Sequence, residues 1–355
     1  MEKKSIKFKN LKKGQKIVVA MSGGVDSSVA AALLKKQGYF VIGIFMKFWK
    51  DGSDGKNKCC SVESENMARL ISKQLEMPFY VLNVEKEFKN KVVDYFIEEY
   101  KKGKTPNPCV VCNKEIKFGF LIKKALSLGA EFMATGHYAQ IKNNKLLKGK
   151  DKEKDQSYFL WQLDQNQLSR VLFPVGEYVK AETRKLAKKF KLAVAETPES
   201  QEVCFVKDST NNFLKKYLKT NPGNILDIEN KKVGTHEGLW FYTIGQRKGI
   251  GLSGGPYFVV DKDFKKNNLI VSKNHKDLLK KEMIVGDVNW ITPQKLPILV
   301  DVKIRYRSNL AKAKIFEDKN KKIKVVFQKP QKAITQGQSA VFYKGKAVFG
   351  GGVIF

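Results

Sequence analysis

The sequence predicts an α/β protein in three parts: an N-terminal domain on a parallel sheet, a small central domain that is mostly β, and a C-terminal β-barrel. Three observations carry this. In the first half of the chain, short apolar runs alternate with Ala- and Leu-rich stretches, the pattern of parallel strands joined by helices on both faces of a sheet. After residue 208 the alternation stops, and Gly223, Gly234, Gly238, Gly245, Gly249, Gly251, Gly254 and Gly255 punctuate short strand-like pieces. From Val300 onward the strand signals are brief and evenly spaced, as in a small barrel. A chain of 355 residues exceeds one ordinary core of about 100–200 residues, and the expected domains are 14–207, 208–278 and 279–355.

In order, Lys16 to Ala20 (KIVVA) reads as a strand, Ser27 to Gln37 as a helix, and Phe40 to Phe48 as a second strand. A helix around Ser61 to Leu75, a strand at Phe79 to Val84 and a helix from Glu87 to Lys101 follow. Ile116 to Leu128 is helical in pattern, and Phe132 to Thr135 is a strand that ends at Gly136 and His137. Lys142 to Asp155, rich in Lys, Asn, Gly and Asp, is expected to be an exposed excursion. A helix is expected from Asp277, then strands at Val300–Tyr306, Ala311–Phe316, Lys322–Phe327, Ser339–Tyr343 and Ala347–Ile354. No internal repeat is found.

The formal net charge of +32 sets up a positive field that attracts a polyanion such as nucleic acid. Only six of the 67 Lys and Arg residues are Arg, a skew that genome composition alone produces, so the arginines are the more informative. Two of them, Arg305 and Arg307, flank Tyr306. No apolar run approaches the roughly 20 residues of a membrane helix. Met1 to Lys13 lacks the apolar core and cleavage site of a secretory signal, so a cytoplasmic monomer with no membrane partner is expected. Five cysteines in a reducing compartment argue for catalysis or metal binding rather than a disulfide scaffold.

The most specific local signal is Ala20-Met21-Ser22-Gly23-Gly24-Val25-Asp26-Ser27-Ser28, between a strand and a helix. Glycines let the backbone approach an anion, and the helix N-terminus offers free N–H groups and a positive dipole. The serines add hydroxyl donors, and Asp26 is placed to hold Mg²⁺ against phosphates. The alternative is a turn in which Asp26 or Ser27 merely caps the helix. The string has neither a Walker ending nor Rossmann glycine spacing. It resembles the loop of enzymes that cleave ATP between the α- and β-phosphates and adenylate an oxygen. That resemblance places Met46 against adenine and Gly136 near ribose or phosphate; read alone, Met46 is a core residue.

Thr105-Pro106-Asn107-Pro108-Cys109-Val110-Val111-Cys112-Asn113 is a stiff loop ahead of a helix. A thiol at a helix N-terminus in a basic protein gains thiolate character, which makes Cys112 a candidate nucleophile. Cys204, in Ser200-Gln201-Glu202-Val203-Cys204-Phe205, supplies the second thiol that sulfur transfer by disulfide exchange requires. Cys59 and Cys60 are adjacent, a poor geometry for ligating one ion, and are expected to stand apart from the chemistry.

The segments SGGVDSS, TPNPCVVCN with KEIKFG, ATGHYA, KDQSYFLW, SQEVCF, FYTIGQRKG, IRYR and GQSAVFY, running from Met21 to Tyr343, resemble in order the signatures of bacterial tRNA-specific 2-thiouridylases. The resemblance implies an N-terminal pyrophosphatase-loop (adenine nucleotide alpha hydrolase-like) domain. It implies ATP-dependent replacement of the wobble uridine's C2 oxygen by sulfur in tRNAs for Lys, Glu and Gln, with Mg²⁺ and a sulfur donor such as a cysteine desulfurase or relay protein. By that resemblance Cys112 is the nucleophile and Cys204 bears the persulfide. Asn107, Pro108 and Cys109 lie against the target base, and His137, Lys154, Asp155, Gln156, Arg305, Tyr306 and Gln338 touch the tRNA.

Two departures stand out: Cys109 where many relatives have Asp, and Gln336 in place of a Pro before GQSAVFY. With Cys109, three thiols (Cys109, Cys112, Cys204) suit a [4Fe-4S] cluster with one open iron position, which leaves a persulfide route and an iron-bound sulfide route both open. Two rivals remain at this stage: an adenylating synthetase that uses a nitrogen nucleophile and needs neither thiol, and a non-catalytic tRNA-binding protein with a degenerate nucleotide site.

Overall fold

A computed structural model describes residues 11–52, 60–197, 203–318 and 322–355. It divides into two compact units. The first comprises Met1–Lys91, Cys109–Lys207 and Lys346–Val348, and the second Val92–Pro108, Asp208–Gly345 and Phe349–Phe355.

In the first unit the apolar runs form a parallel sheet, whose inner strands are buried on both faces and need no polar side. Strands β1 (Lys16–Met21), β2 (Phe40–Lys47), β3 (Phe79–Asn83) and β4 (Phe132–Ala134) are joined by a two-residue strand that the sequence pattern is too short to reveal, Val171–Leu172. The spatial order is β3, β2, β1, β4, Val171–Leu172, and every pairing is parallel. The direction of travel reverses at β1, so the carboxyl ends of β1 and β4 form the crevice in which such sheets bind ligands.

Helix α1 (Val25–Lys36) covers the sheet with Val29, Ala30, Ala31 and Leu34, all fully buried, and carries Asp26 in its first turn and Lys35 and Lys36 in its last, matching its dipole. Helix α2 (Val62–Gln74) starts at Ser61, whose side chain accepts from the Ser64 N–H at 3.2 Å. The helix expected at Glu87 to Lys101 begins at Glu85 and passes through a π-helical segment at Lys89–Val93. The expected helix at Ile116 begins earlier, at Pro108, and is π-helical over Cys112–Phe120. π-Helical turns are rare and concentrate at functional sites.

The expected excursion at Lys142 to Asp155 holds a hairpin instead of loop alone. Ala139–Lys142 pairs with Lys145–Lys148 through Asn143 and Asn144, both at positive φ, the residues that tolerate a two-residue hairpin turn. The rest of the stretch packs Asp155 into the protein.

In the second unit, four short strands make the central sheet, with Gly223–Asp227 between Asn268–Ser272 and Lys232–His236, and Phe258–Asp263 at the edge. The C-terminal strands Leu279–Trp290, Ile298–Lys303, Ala311–Glu317, Ile323–Lys332, Ser339–Lys344 and Ala347–Ile354 close into a six-stranded barrel through pairing of its first and last strands. Val285, Val302, Ile315, Val325, Phe327 and Phe342 fill it, each fully buried side chain contributing about 1.5–3 kcal/mol. The helix expected from Asp277 is a correction: a 3₁₀ turn ends at Leu278 and a strand follows, because Met283 and Val285 point inward at strand spacing. Among the described residues, no helix is long and apolar enough to cross a membrane.

Candidate active site

The loop after β1 is organised by its own serines. Ser22 N–H and Oγ both meet Ser27 Oγ, at 3.2 and 3.1 Å, and Ser27 and Ser28 donate to the Gly24 carbonyl at 3.1 and 2.9 Å. Gly23 sits at φ +74°, with its Cα so close to Ser64 that a Cβ would lie 2.2 Å from the Ser64 carbonyl oxygen. Only glycine fits there. Neither Asp26 nor Ser27 caps α1; its N-cap is Gly24, with no side-chain acceptor on the first-turn N–H groups. The capping alternative therefore fails, and the helix start keeps its donors for an anion.

Gly136 has a tighter reason to be glycine than ribose contact. A Cβ there would lie 2.6 Å from Ser27 N and 2.9 Å from Asp26 Cβ, so the end of β4 packs directly on the start of α1. Met46 is 6% exposed at the end of β2, opposite Leu82. Ala20, Met21 and Val25 form the strand end and helix start that frame the loop.

Two residues that the sequence did not single out as site residues complete it. Lys180 Nζ lies 2.8 Å from both carboxylate oxygens of Asp26, and Tyr138 O–H donates to the same carboxylate at 2.8 Å. The Lys180 side chain is only 12% exposed and Asp26 31%. Lys180 is the first residue of a ten-residue helix, Lys180–Lys189, where a positive charge opposes the dipole. That misplacement was the available signal. The helix start is fixed by Asp151, whose carboxylate accepts from Lys180 N–H at 2.8 Å, and by Glu182, which accepts from Val179 N–H at 2.8 Å.

Of the thiols, Cys109 is exposed, Cys112 is buried at 8% exposure, and Cys204 is intermediate. The helix begins at Pro108, so Cys109 occupies its first turn and Cys112 opens the π-helical segment one turn further in. The expected helix-terminal position thus falls to Cys109. The neighbouring Asn113 is buried and donates to the Phe159 carbonyl at 3.1 Å, tying the thiol helix to the KDQSYFLW segment. Pro198 to Glu202, part of SQEVCF, and Cys59 lie outside the described residues. Cys60 is buried and donates to the Phe48 carbonyl at 3.5 Å, a structural role. Among the described residues, no three His, Cys, Asp or Glu side chains are grouped to hold a metal ion. The expected convergence of Cys109, Cys112 and Cys204 on one point is not found in this arrangement.

His137 is buried, its Nδ1 2.7 Å from Thr135 Oγ1 and its ring against Phe118 and Phe173. Burial, aided by the charge of Lys117, holds its pKa well below the usual histidine value. Asp155 is spent internally, accepting from Gly149 N–H, Ser157 N–H and Ser157 O–H at 3.0, 3.1 and 3.0 Å. Gln156 exchanges two bonds with the Tyr138 backbone at 2.9 Å, and Lys154 is half-buried beside it. In the second unit Asn107 is half-buried and Pro108 buried. Tyr306 lies under the Lys303 ammonium, 5.4 Å from its ring centre. Arg305 donates to the carbonyls of Ile244 and Ala333 at 3.0 and 2.8 Å and to Thr335 Oγ1, and Gln338 Nε2 donates to the Thr105 carbonyl at 2.8 Å.

Residues 15–208 match the family described as tRNA methyl transferase HUP domain, residues 211–273 the tRNA methyl transferase PRC-barrel domain, and residues 280–354 the Aminomethyltransferase beta-barrel domain. The tRNA-specific 2-thiouridylase MnmA of Clostridioides difficile (strain 630) is 47% identical over 354 residues, covering 96% of this chain and 98% of the relative. Its counterpart in Halothermothrix orenii is 47% identical over 356 residues, covering 96% and 98%. That of Carboxydothermus hydrogenoformans is 44% identical over 359 residues, covering 96% and 97%. Relatives of this similarity span all three domains and the loops that carry the serines and thiols, and the chain belongs to the tRNA-specific 2-thiouridylase family.

Proposed function

We propose that this chain catalyses ATP-dependent 2-thiolation of the wobble uridine of tRNAs for Lys, Glu and Gln. The observation that carries the reading is near-full-length identity of 44–47% to proteins named tRNA-specific 2-thiouridylase, joined to an uncapped phosphate loop and a thiol helix in one unit. The nitrogen-nucleophile rival leaves Cys112 and Cys204 without a task, and the non-catalytic rival leaves the serine loop without one.

In this reading the N–H groups at the start of α1, with Ser22, Ser27 and Ser28, hold the phosphates of ATP. The uridine C2 oxygen attacks the α-phosphorus, the α–β anhydride bond breaks, and pyrophosphate leaves. Asp26 would hold Mg²⁺, which would supply charge neutralisation for the leaving pyrophosphate. Lys180 Nζ sits 2.8 Å from both Asp26 oxygens and neutralises that carboxylate beside the phosphates. Tyr138 keeps Asp26 oriented throughout.

Cys204 carries the incoming sulfur as a persulfide loaded by a cysteine desulfurase or relay protein. Its terminal sulfur bonds to C2 and AMP departs. The Cys112 thiolate then attacks Cys204 Sγ, breaking the S–S bond to leave 2-thiouridine and a Cys112–Cys204 disulfide, which a thiol reductant resets. His137, whose pKa burial holds well below the usual value, packs against Phe118 and Phe173 at the end of β4. Asn107, Pro108 and Cys109 present the loop to the base, with Lys154, Gln156 and Tyr306 toward the tRNA. No step is assigned to a [4Fe-4S] cluster, since the described thiols do not group as its ligands.

The test is nucleoside mass spectrometry of tRNA-Lys after incubation with the protein, ATP, Mg²⁺ and a persulfide donor. Formation of 2-thiouridine that is lost in Cys112→Ser and Cys204→Ser supports the assignment, and unmodified wobble uridine with the parent protein overturns it. Iron and acid-labile sulfide assays on anaerobically purified protein separate the sulfur routes: iron-free protein with full activity, and an active Cys109→Asp, are expected.

A further inference from the structure

Two of the family-signature motifs, FYTIGQRKG and GQSAVFY, meet in the second unit on a single short strap, Gly103 to Thr105, which leads into Pro106-Asn107-Pro108. Every polar group of Thr105 is engaged from afar. Its N–H donates to the Gln336 carbonyl at 2.9 Å, its carbonyl accepts from Gln338 Nε2 at 2.8 Å, and its hydroxyl meets Thr243 Oγ1 at 3.1 Å. The last two partners are 233 and 138 residues away in the chain.

Gly103 is held likewise. Its carbonyl accepts from Lys262 Nζ at 2.5 Å, and the same ammonium donates to the Tyr242 carbonyl at 3.0 Å, next to Thr243. Burial pulls the Lys262 pKa down to about 8, the cost of placing a cation there. Between these clamps Gly337 approaches so closely that a Cβ would meet Lys104 Cβ and Thr105 N at 2.9 Å. Arg305 then joins the clamping segments to one another, bonding Ile244 on one side and Ala333 and Thr335 on the other. Gly245 presses on Ala333 from the same side, where a Cβ would lie 2.7 Å from the Ala333 Cβ.

We propose that Gln338, Thr243, Lys262 and Arg305 are positioning residues for the loop that carries Asn107 and leads to Cys109 and Cys112, and that Gln338 and Arg305 act through this strap instead of through direct contact with tRNA. The inference rests on reading that loop as catalytic. Its physical basis is that a loop's aim is set by its base. With both backbone groups and the hydroxyl of Thr105 bonded to the barrel and central sheet, the residues after it have a fixed origin, and a loosened origin costs rate without costing RNA contacts. The amide of Gln338 and Nη2 of Arg305 are already committed to protein acceptors, and redirecting them to RNA strands the Thr105 and Ala333 carbonyls.

The experiment uses full-length Gln338→Met and Thr243→Val, with Thr243→Ser as the conservative control. Three quantities are read: tRNA-Lys affinity by filter binding without ATP, the single-turnover thiolation rate at saturating tRNA, and amide hydrogen exchange of residues 103–112. Both disruptive variants are expected to keep tRNA affinity within about twofold, to lose about tenfold or more in single-turnover rate and to exchange faster at 104–108, while Thr243→Ser stays close to the parent. Weaker tRNA binding with an unchanged saturated rate makes Gln338 an RNA contact and overturns the proposal. So does unchanged exchange at Thr105 with an unchanged rate. If one disruptive variant does not fold, the other decides. A parent protein that fails to thiolate sinks the underlying functional reading, and the exchange measurement still decides whether these side chains hold the strap.

Discussion

The serine loop after β1 and the strap before Cys109 each hold backbone ready for a ligand, and they are built in opposite ways. Within the loop, Ser22, Gly24, Ser27 and Ser28 bond to one another across two to five positions in sequence. In the strap, Gly103 and Thr105 bond to Lys262, Thr243 and Gln338, 138 to 233 positions away. A locally closed loop is stable wherever a strand meets a helix. A remotely held strap exists only once two further domains have folded around it.

Substitutions on either side sharpen that contrast. The largest effect is expected for Asp26→Ala, which removes the carboxylate shared by Lys180 and Tyr138: pyrophosphate release should fall by about 10²–10³-fold while tRNA affinity holds, as read by coupled pyrophosphate assay and filter binding. A tRNA affinity that collapsed with it would break the idea that the loop works independently of the strap.

Next, Gly136→Ala forces a methyl against Ser27 N and should destabilise the protein by about 1–3 kcal/mol in urea unfolding. ATP affinity should weaken with it, because the start of α1 is what the methyl displaces. Wild-type stability in this variant would mean that β4 and α1 are not packed as described.

Lys180→Met is expected to weaken metal-free ATP binding about tenfold in calorimetry and to affect binding with Mg²⁺ less, since the metal takes over charge neutralisation. Equal losses with and without the metal would mean that Lys180 does not serve to neutralise Asp26.

The smallest effect concerns His137. Its folded-state pKa lies below 6.5, so below that value the unfolded chain binds the proton that the folded one refuses. Stability from this group is therefore full above about pH 6.5 and declines as pH falls toward the folded pKa, by at most about 1.4 kcal/mol per pH unit. His137→Gln should flatten that part of the curve in urea titrations near pH 7 and pH 5.5. An identical slope in both proteins would remove His137 as its source.

The parallel sheet, the phosphate loop, most of the barrel strands and the pairing of a stiff loop with a thiol helix were all legible in the sequence. Each is written in neighbours: apolar runs of strand length, glycine and serine next to a helix start, and prolines ahead of a helix. Where the local pattern was short or ambiguous it misled, as with the two-residue strand Val171–Leu172 and the stretch after Asp277, whose inward Met283 and Val285 fit a strand.

Packing between distant segments is what puts Lys180 on Asp26, 154 positions away, makes Gly136 glycine because α1 begins against it, and bonds the Asp155 carboxylate, the Gln338 amide and Arg305 Nη2 to protein. Local hydrogen bonds and helix starts depend on spacing along the chain, which a sequence displays. A buried charge finds its partner through packing between distant segments, and no spacing rule reports that.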